Sequence, residues 1–121
     1  MSESKEIKVG KRHRGDVVVL DVSGRLTNEN NYQALKQPIQ ELLKSGRKKL
    51  VLNLSNCQYV DRSGIGELTD IFADVANKGG LLRFAEAKGR VAETLEANGF
   101  RPMFQLLSER HAVEGFRQIM D

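Results

Sequence analysis

The chain has 121 residues, of which 40% are hydrophobic, so it has the size and composition of one domain with a modest core. Its formal net charge of +3 is mild, and it has no tryptophan, two tyrosines and five phenylalanines, too few for the aromatic platforms of a nucleic-acid-binding face. The single cysteine excludes an intrachain disulfide, and His13 and His111 lack a metal-ligand spacing. We expect no metal, no cofactor and no direct contact with nucleic acid.

The polar, charged stretch 1–16 contains no apolar segment of signal-peptide length. No later run approaches the roughly 20 apolar residues that a membrane span requires. The basic clusters at 11–14 and 47–49 fall at predicted turns, where they are solvated. We therefore expect a cytoplasmic protein without membrane insertion.

A β-hairpin is predicted to open the fold. Residues 7–12 alternate like an edge strand, and the letters HRGD at 13–16 predict a turn. The unbroken valines of VVVLDV at 17–22 are typical of a strand buried on both faces. After a loop at 23–27, a first helix carries apolar residues on one face and ends at Gly46, a predicted C-cap. Pro38 predicts that this helix is kinked or restarted.

The second half alternates strands and helices. Residues 49–54 predict a strand that is followed by a short loop, and 63–78 predict a helix whose buried face includes Phe72 and Val75. The remaining predicted elements are a strand at 81–85, a short helix closing at 98–99, a strand at 103–107 and a last helix capped by Ser108. This order predicts a single α/β domain, with a core at about 7–120 and a mixed β-sheet of four to five strands packed with about four helices.

The stretch YVDRSGIGEL at 59–68 is the candidate functional site. Gly64 and Gly66 fall in the first turn of a predicted helix, where each costs about 1 kcal/mol relative to alanine. Directly before them, Asp61, Arg62 and Ser63 place an acid, a base and a hydroxyl together.

Two interpretations of this stretch are open. A helix N-terminus carries unpaired N–H groups and partial positive charge, so Ser63 is well placed to carry a phosphate, and the glycines let another protein approach its hydroxyl. Alternatively, Ser63 is only an N-cap, and the glycines only relieve crowding between the helix and the preceding loop. Asp61 either accepts hydrogen bonds from the first-turn amides or holds the loop so that Ser63 faces outward. Thr27 is expected at the same end of the sheet, as a helix cap or a contact residue.

Enzyme motifs are absent from this sequence. The letters SGIGEL lack the third glycine of a dinucleotide fingerprint, and no phosphate-binding G-x-x-x-x-G-K-[ST] occurs. A serine hydrolase would require G-x-S-x-G, but position 61 is aspartate. We expect no catalysis and no catalytic residue in this chain.

The order of elements and the D-x-S-G-[ILV]-G sequence at 61–66 resemble the STAS domain, specifically the free-standing anti-sigma factor antagonists. The resemblance covers about 7–120 and includes the letters ETLEANGF and SERHAVEGF. It implies that Ser63 is phosphorylated by a partner that is both anti-sigma factor and serine/threonine kinase. It further implies that the unphosphorylated form binds this partner and frees a sigma factor, and that a protein phosphatase resets the serine. The implied partner-binding residues are Thr27, Asp61, Arg62, Ser63, Gly64, Ile65 and Gly66.

Three residues depart from the family pattern. Arg62 replaces a small hydroxyl residue, Thr27 stands where many members carry aspartate, and Pro38 interrupts the first helix. STAS domains also serve as scaffolds of signalling assemblies and as accessory subunits of membrane-transport systems, without phosphorylation. That role is the alternative to partner switching.

Overall fold

The structure, a computed structural model, describes residues 7–27, 29–98 and 107–120. The mixed sheet and the set of four helices agree with the predicted fold class. The elements in chain order are β1 Lys8–Arg14, β2 Val17–Leu26, α1 Glu29–Lys44, β3 Lys49–Val60, α2 Arg62–Asn77, β4 Leu81–Ala85, α3 Gly89–Ala97 and α4 Glu109–Met120.

Within the described residues, four strands lie in the order β1-β2-β3-β4. β1 and β2 form the predicted antiparallel hairpin, whereas β2–β3 and β3–β4 are parallel pairs joined by helical crossovers. The predicted turn at 13–16 is too long, because His13 and Arg14 continue the ladder and only 15–16 turn, with Gly15 at a φ of 65°. Leu107 forms a parallel bridge to Ala85, while the rest of the predicted fifth strand lies outside the described residues.

Both faces of the sheet are buried, as the consecutive valines of β2 predict. Val18, Leu20 and Val22 face the larger core cluster, to which α1, α2 and α3 contribute. Val17 and Val19 face a smaller cluster formed with α4. Within the described part of the chain, no helix is both long enough and apolar enough to cross a membrane.

β2 and β3 are both longer than predicted. The loops expected at 23–27 and after residue 54 are wrong over most of their length, because β2 runs to Leu26 and β3 to Val60. The polar residues there look like a loop in sequence, but their backbones pair across the two strands down to Leu26 opposite Val60. Two register shifts accommodate extra residues in β3.

α1 runs through Pro38 as one helix, so the predicted restart is wrong. Its continuation past Pro38 keeps Ile39, Leu42 and Leu43 buried, and this packing compensates for the missing N–H of the proline. The predicted C-cap is confirmed: Gly46 has a φ of 90°, and its N–H donates to the Leu43 carbonyl at 3.1 Å.

α2 begins one residue earlier than predicted and buries Val75 completely, but Phe72 is only half-buried, so the expected burial of Phe72 is wrong. Asn98 ends α3 as predicted, although Gly99 lies outside the described residues. Ser108 caps α4, since its hydroxyl accepts the His111 N–H at 3.1 Å.

An ion-pair network that was not predicted ties α4 to the sheet. The Glu109 carboxylate accepts hydrogen bonds from Arg12 at 2.6 Å, Asn53 at 2.8 Å and Arg14 at 2.9 Å. Arg12 also pairs with Asp21 at 2.6 Å. The Arg12 guanidinium, with support from Asn53 and Arg14, lowers the pKa of Glu109 to about 2. This network therefore holds the start of α4 on its face of the sheet.

Candidate functional site

The candidate site lies where β2 and β3 end and α2 begins. The Asp61 N–H donates to the Leu26 carbonyl at 3.4 Å, so the end of β2 lies against the start of α2. Thr27 follows Leu26 directly and is half-buried at the same end of the sheet. Thr27 therefore lies near the start of α2, as predicted. Its role as a cap or a contact stays a prediction.

Asp61, rather than Ser63, is the N-cap of α2. Its Oδ1 accepts the Gly64 N–H at 2.7 Å and the Ser63 hydroxyl at 2.9 Å. The interpretation of Ser63 as only an N-cap is therefore wrong, because the cap position is already occupied by a carboxylate with extended backbone. Of the two roles considered for Asp61, capping of the first turn is confirmed, and its hydrogen bond with the Ser63 hydroxyl was not predicted. That Asp61 holds the loop so that Ser63 faces outward stays a prediction.

Ser63 is an exposed residue in the first turn of α2. The first turn of any helix leaves backbone N–H groups without intrahelical partners and carries partial positive charge. This turn contains no acidic residue. A phosphate on the Ser63 oxygen would meet N–H groups and the helix dipole in front of it, with the Asp61 carboxylate beside it.

The two glycines of the first turn have different environments. A Cβ on Gly64 would collide with the Tyr32 hydroxyl and would come within 2.9 Å of a Val60 methyl group. Gly64 therefore relieves crowding, but against Tyr32 of α1 and Val60 of β3 rather than against a preceding loop. A Cβ on Gly66 would meet nothing within 4 Å, and Gly66 is exposed, so it leaves open surface on the first turn.

Tyr32 packs against the start of α2 from the core. The sequence predicted only that Tyr32 lies on the buried face of α1. Its hydroxyl donates to the Leu26 carbonyl at 2.9 Å, and its side chain is 1% exposed. Burial raises the pKa of this phenol, and the charge of Asp61 adds to that shift. Ile65 is also buried, so Gly64 and Ile65 both lie behind the exposed surface, and their contact with a partner stays a prediction.

Two cations border the site. Arg62 is exposed at the first position of α2, and Arg25 lies with its guanidinium carbon 4.7 Å from the centroid of the Tyr59 ring. Among the residues that the structure describes, neither arginine forms an ion pair with a carboxylate. The Arg25–Tyr59 pair was not predicted from the sequence, because the residues after 54 were expected to form a loop rather than the end of β3.

Two further reactive side chains are His111 and Cys57. His111 contacts Ser108 at the start of α4, with 3.1 Å between Nδ1 and Oγ. Burial raises the pKa of the Cys57 thiol to about 11, which leaves it protonated at neutral pH. In the ranges that the structure covers, no group of three or more His, Cys, Asp and Glu side chains is arranged to hold a metal ion.

A family model and one relative show the family of this chain, and solved structures share its fold. The STAS domain family model matches residues 8–113. A Thermotoga neapolitana relative, named as an anti-sigma factor antagonist homologue, is 30% identical over 80 residues, which are 66% of this chain and 71% of the relative. The crystal structure of an anti-sigma factor antagonist from Mycobacterium paratuberculosis is 21% identical, with a TM-score of 0.79 over 97% of this chain and 99% of that one. The Bacillus protein SpoIIAA in its phosphorylated form is 16% identical, with a TM-score of 0.63 over 89% of this chain and 96% of that one.

Proposed function

This chain belongs to the STAS domain family, and on that premise we propose that it is an anti-sigma factor antagonist whose binding is switched by phosphorylation of Ser63. The unphosphorylated form binds an anti-sigma factor that is also a serine kinase and thereby frees a sigma factor in the cytoplasm. The chain is the kinase's substrate and not itself an enzyme. The observation that carries this proposal is the exposed Ser63 hydroxyl on the capped first turn of α2.

The structure offers a physical reason for a switch in binding rather than in folding. A phosphate adds about 1.5 to 2 negative charges at pH 7, which the first-turn amides and the helix dipole tolerate. After phosphorylation, the Ser63 ester oxygen has no proton to donate to Asp61, so the present 2.9 Å hydrogen bond is lost. A partner surface that fits a neutral hydroxyl would then have to desolvate two adjacent anions. A penalty of about 3 kcal/mol weakens binding more than a hundredfold.

Arg62 is the residue that we assign to partner choice. An exposed arginine contributes little to stability but forms bidentate contacts across an interface. Arg62→Ser should leave the melting temperature nearly unchanged and weaken binding to the cognate anti-sigma factor. Titration calorimetry that gives wild-type affinity would remove Arg62 from the interface.

The test begins with co-purification of the chain from its own cells. The anti-sigma kinase that is recovered is then incubated with the chain and ATP, and phosphate is located by mass spectrometry. Ser63→Ala should resist phosphorylation and stay bound, whereas Ser63→Asp should be released. A protein phosphatase should restore binding of the phosphorylated chain.

Two results would contradict the switch: phosphate found only at other residues, or equal affinity of Ser63→Asp and Ser63→Ala. Recovery of a signalling scaffold or a membrane-transport complex in place of an anti-sigma factor would favour the alternative role of STAS domains.

A further inference from the structure

β2 and β3 extend beyond their neighbours at the end of the sheet that carries Ser63. β1 pairs with β2 only up to Ser23, and β4 pairs with β3 only up to Asn53. Residues 24–26 and 57–60 therefore form a two-stranded ribbon that has no further strand beside it among the residues described.

The two faces of this ribbon differ in chemistry. Leu26 and Val60 point into the larger core. Gly24 pairs with Cys57 whereas Arg25 pairs with Tyr59, so one extra residue in β3 adjusts the register between the two pairs. Since strand neighbours alternate, Arg25 and Tyr59 lie side by side on the face opposite Leu26 and Val60.

The Arg25–Tyr59 pair is a preorganised cationic surface. The guanidinium lies 4.7 Å from the ring centroid, Arg25 is exposed, and Tyr59 is half-buried. Stacking on an aromatic face fixes the plane of an arginine but leaves its N–H donors free for a carboxylate. Restricting an arginine before binding reduces the entropy that it loses on contact. Arginine and tyrosine are also enriched among residues that contribute most to protein interfaces.

The residues of this surface are close in the chain to the N-cap of the Ser63 helix. Tyr59 is two residues before the N-cap Asp61, and Arg25 is next to Leu26, whose carbonyl accepts the Asp61 N–H.

We propose that the Arg25–Tyr59 pair is a second contact of the partner surface and receives a carboxylate group of the anti-sigma factor. The proposal rests on the function given above and extends its interface from the start of α2 to the far face of the β2–β3 ribbon. Charge complementarity selects an acidic protein surface as the occupant. Because this contact lies away from the Ser63 hydroxyl, it contributes to affinity whether or not the serine is accessible to the kinase site.

The experiment compares two charge reversals at opposite ends of the sheet. Arg25→Glu should weaken binding of the co-purified anti-sigma factor by roughly tenfold or more and should reduce its dependence on salt. Arg47→Glu is the matched control, since Arg47 is also exposed but precedes the first residue of β3 at the other end, and it should change affinity less than about twofold. Tyr59→Phe keeps the aromatic face and should bind like the wild type, whereas Tyr59→Ala should bind more weakly.

Three outcomes decide the proposal. If Arg25→Glu binds like Arg47→Glu while Ser63→Asp still releases the partner, the second contact is wrong and the proposed function stands. If the wild-type chain binds no anti-sigma factor, the proposed function itself fails. If a change of one acidic partner residue to lysine restores the affinity of Arg25→Glu, that residue carries the carboxylate. Circular dichroism and melting temperatures check that each variant is folded.

Discussion

The hydroxyl of Tyr32 occupies the space that a side chain at Gly64 would require. Tyr32 is in α1 and Gly64 is in the first turn of α2, so the bare backbone of one helix rests on a buried phenol of the other. The phenol is fixed by its 2.9 Å hydrogen bond to the Leu26 carbonyl, which also accepts the Asp61 N–H. The start of the Ser63 helix is therefore positioned by contacts that bring together α1, β2 and α2.

Gly64→Ala should destabilise the protein by about 2 kcal/mol, because overpacking a buried contact costs more than the helix propensity of alanine returns. Gly66→Ala is the matched control in the same turn, where a Cβ meets nothing within 4 Å. It should stabilise the protein by about 0.5–1 kcal/mol. Urea unfolding measures both, and equal effects of the two substitutions would contradict the assigned role of Gly64.

Asp61→Ala should lower the free energy of unfolding by about 1 kcal/mol through loss of the N-cap. Asp61→Asn keeps an oxygen that accepts the Gly64 N–H and should change stability by less than about 0.5 kcal/mol. Thermal and urea unfolding at neutral pH distinguish the two. A large loss in both variants would mean that the carboxylate charge, rather than the cap geometry, stabilises this turn.

Val75→Asp should unfold the domain, because Val75 is fully buried and an aspartate there would have no partner for its charge. Phe72→Asp on the same helix should cost less, about 1–2 kcal/mol, since Phe72 keeps part of its surface in water. Circular dichroism of the purified variants measures the loss of fold. A folded Val75→Asp variant would show that the buried face of α2 has been misassigned.

The sequence predicts helices and strands correctly where a short stretch of residues contains the whole signal. Apolar alternation and helical spacing locate the hairpin and the helices, and Gly46 marks a helix end because its positive φ is a local property. The start of α2 is less certain from sequence, since Asp61 and Ser63 are both good N-cap residues. Only the contacts of Asp61 Oδ1 decide between them.

The features missed from sequence depend on residues far apart in the chain. The polar ends of β2 and β3 look like loops until their backbones are paired. The crowding at Gly64 is caused by Tyr32, which is 32 residues earlier in the chain. The spacing of residues around Gly64 therefore cannot predict this contact. Glu109 and its partner Arg12 are separated by 97 positions, so their ion pair is visible only once α4 is placed on the sheet.

Because of the ion pairs of Glu109, the free energy of unfolding should depend on pH in the acidic range. Its pKa is lowered to about 2, chiefly by the hydrogen bond from Arg12, whereas an unfolded glutamate has a pKa of about 4.3. Above the unfolded pKa, Glu109 is ionised in both states, and its ion pair stabilises the folded state. The stabilisation is fully present above about pH 5 and is lost as pH falls from about 4.3 towards 2.

Glu109→Gln should thus lower the free energy of unfolding by about 1–3 kcal/mol at pH 7, and the difference from wild type should shrink as pH falls through this window. Glu114→Gln is the control in the same helix, because Glu114 pairs with Arg110 at 3.3 Å while both side chains are more than half exposed (54% and 77%). An exposed pair of this kind contributes at most about 0.5 kcal/mol. Urea unfolding from pH 2.5 to 7 measures both variants. A difference between wild type and Glu109→Gln that does not change with pH would mean that packing of the side chain, and not its charge, holds α4 on the sheet.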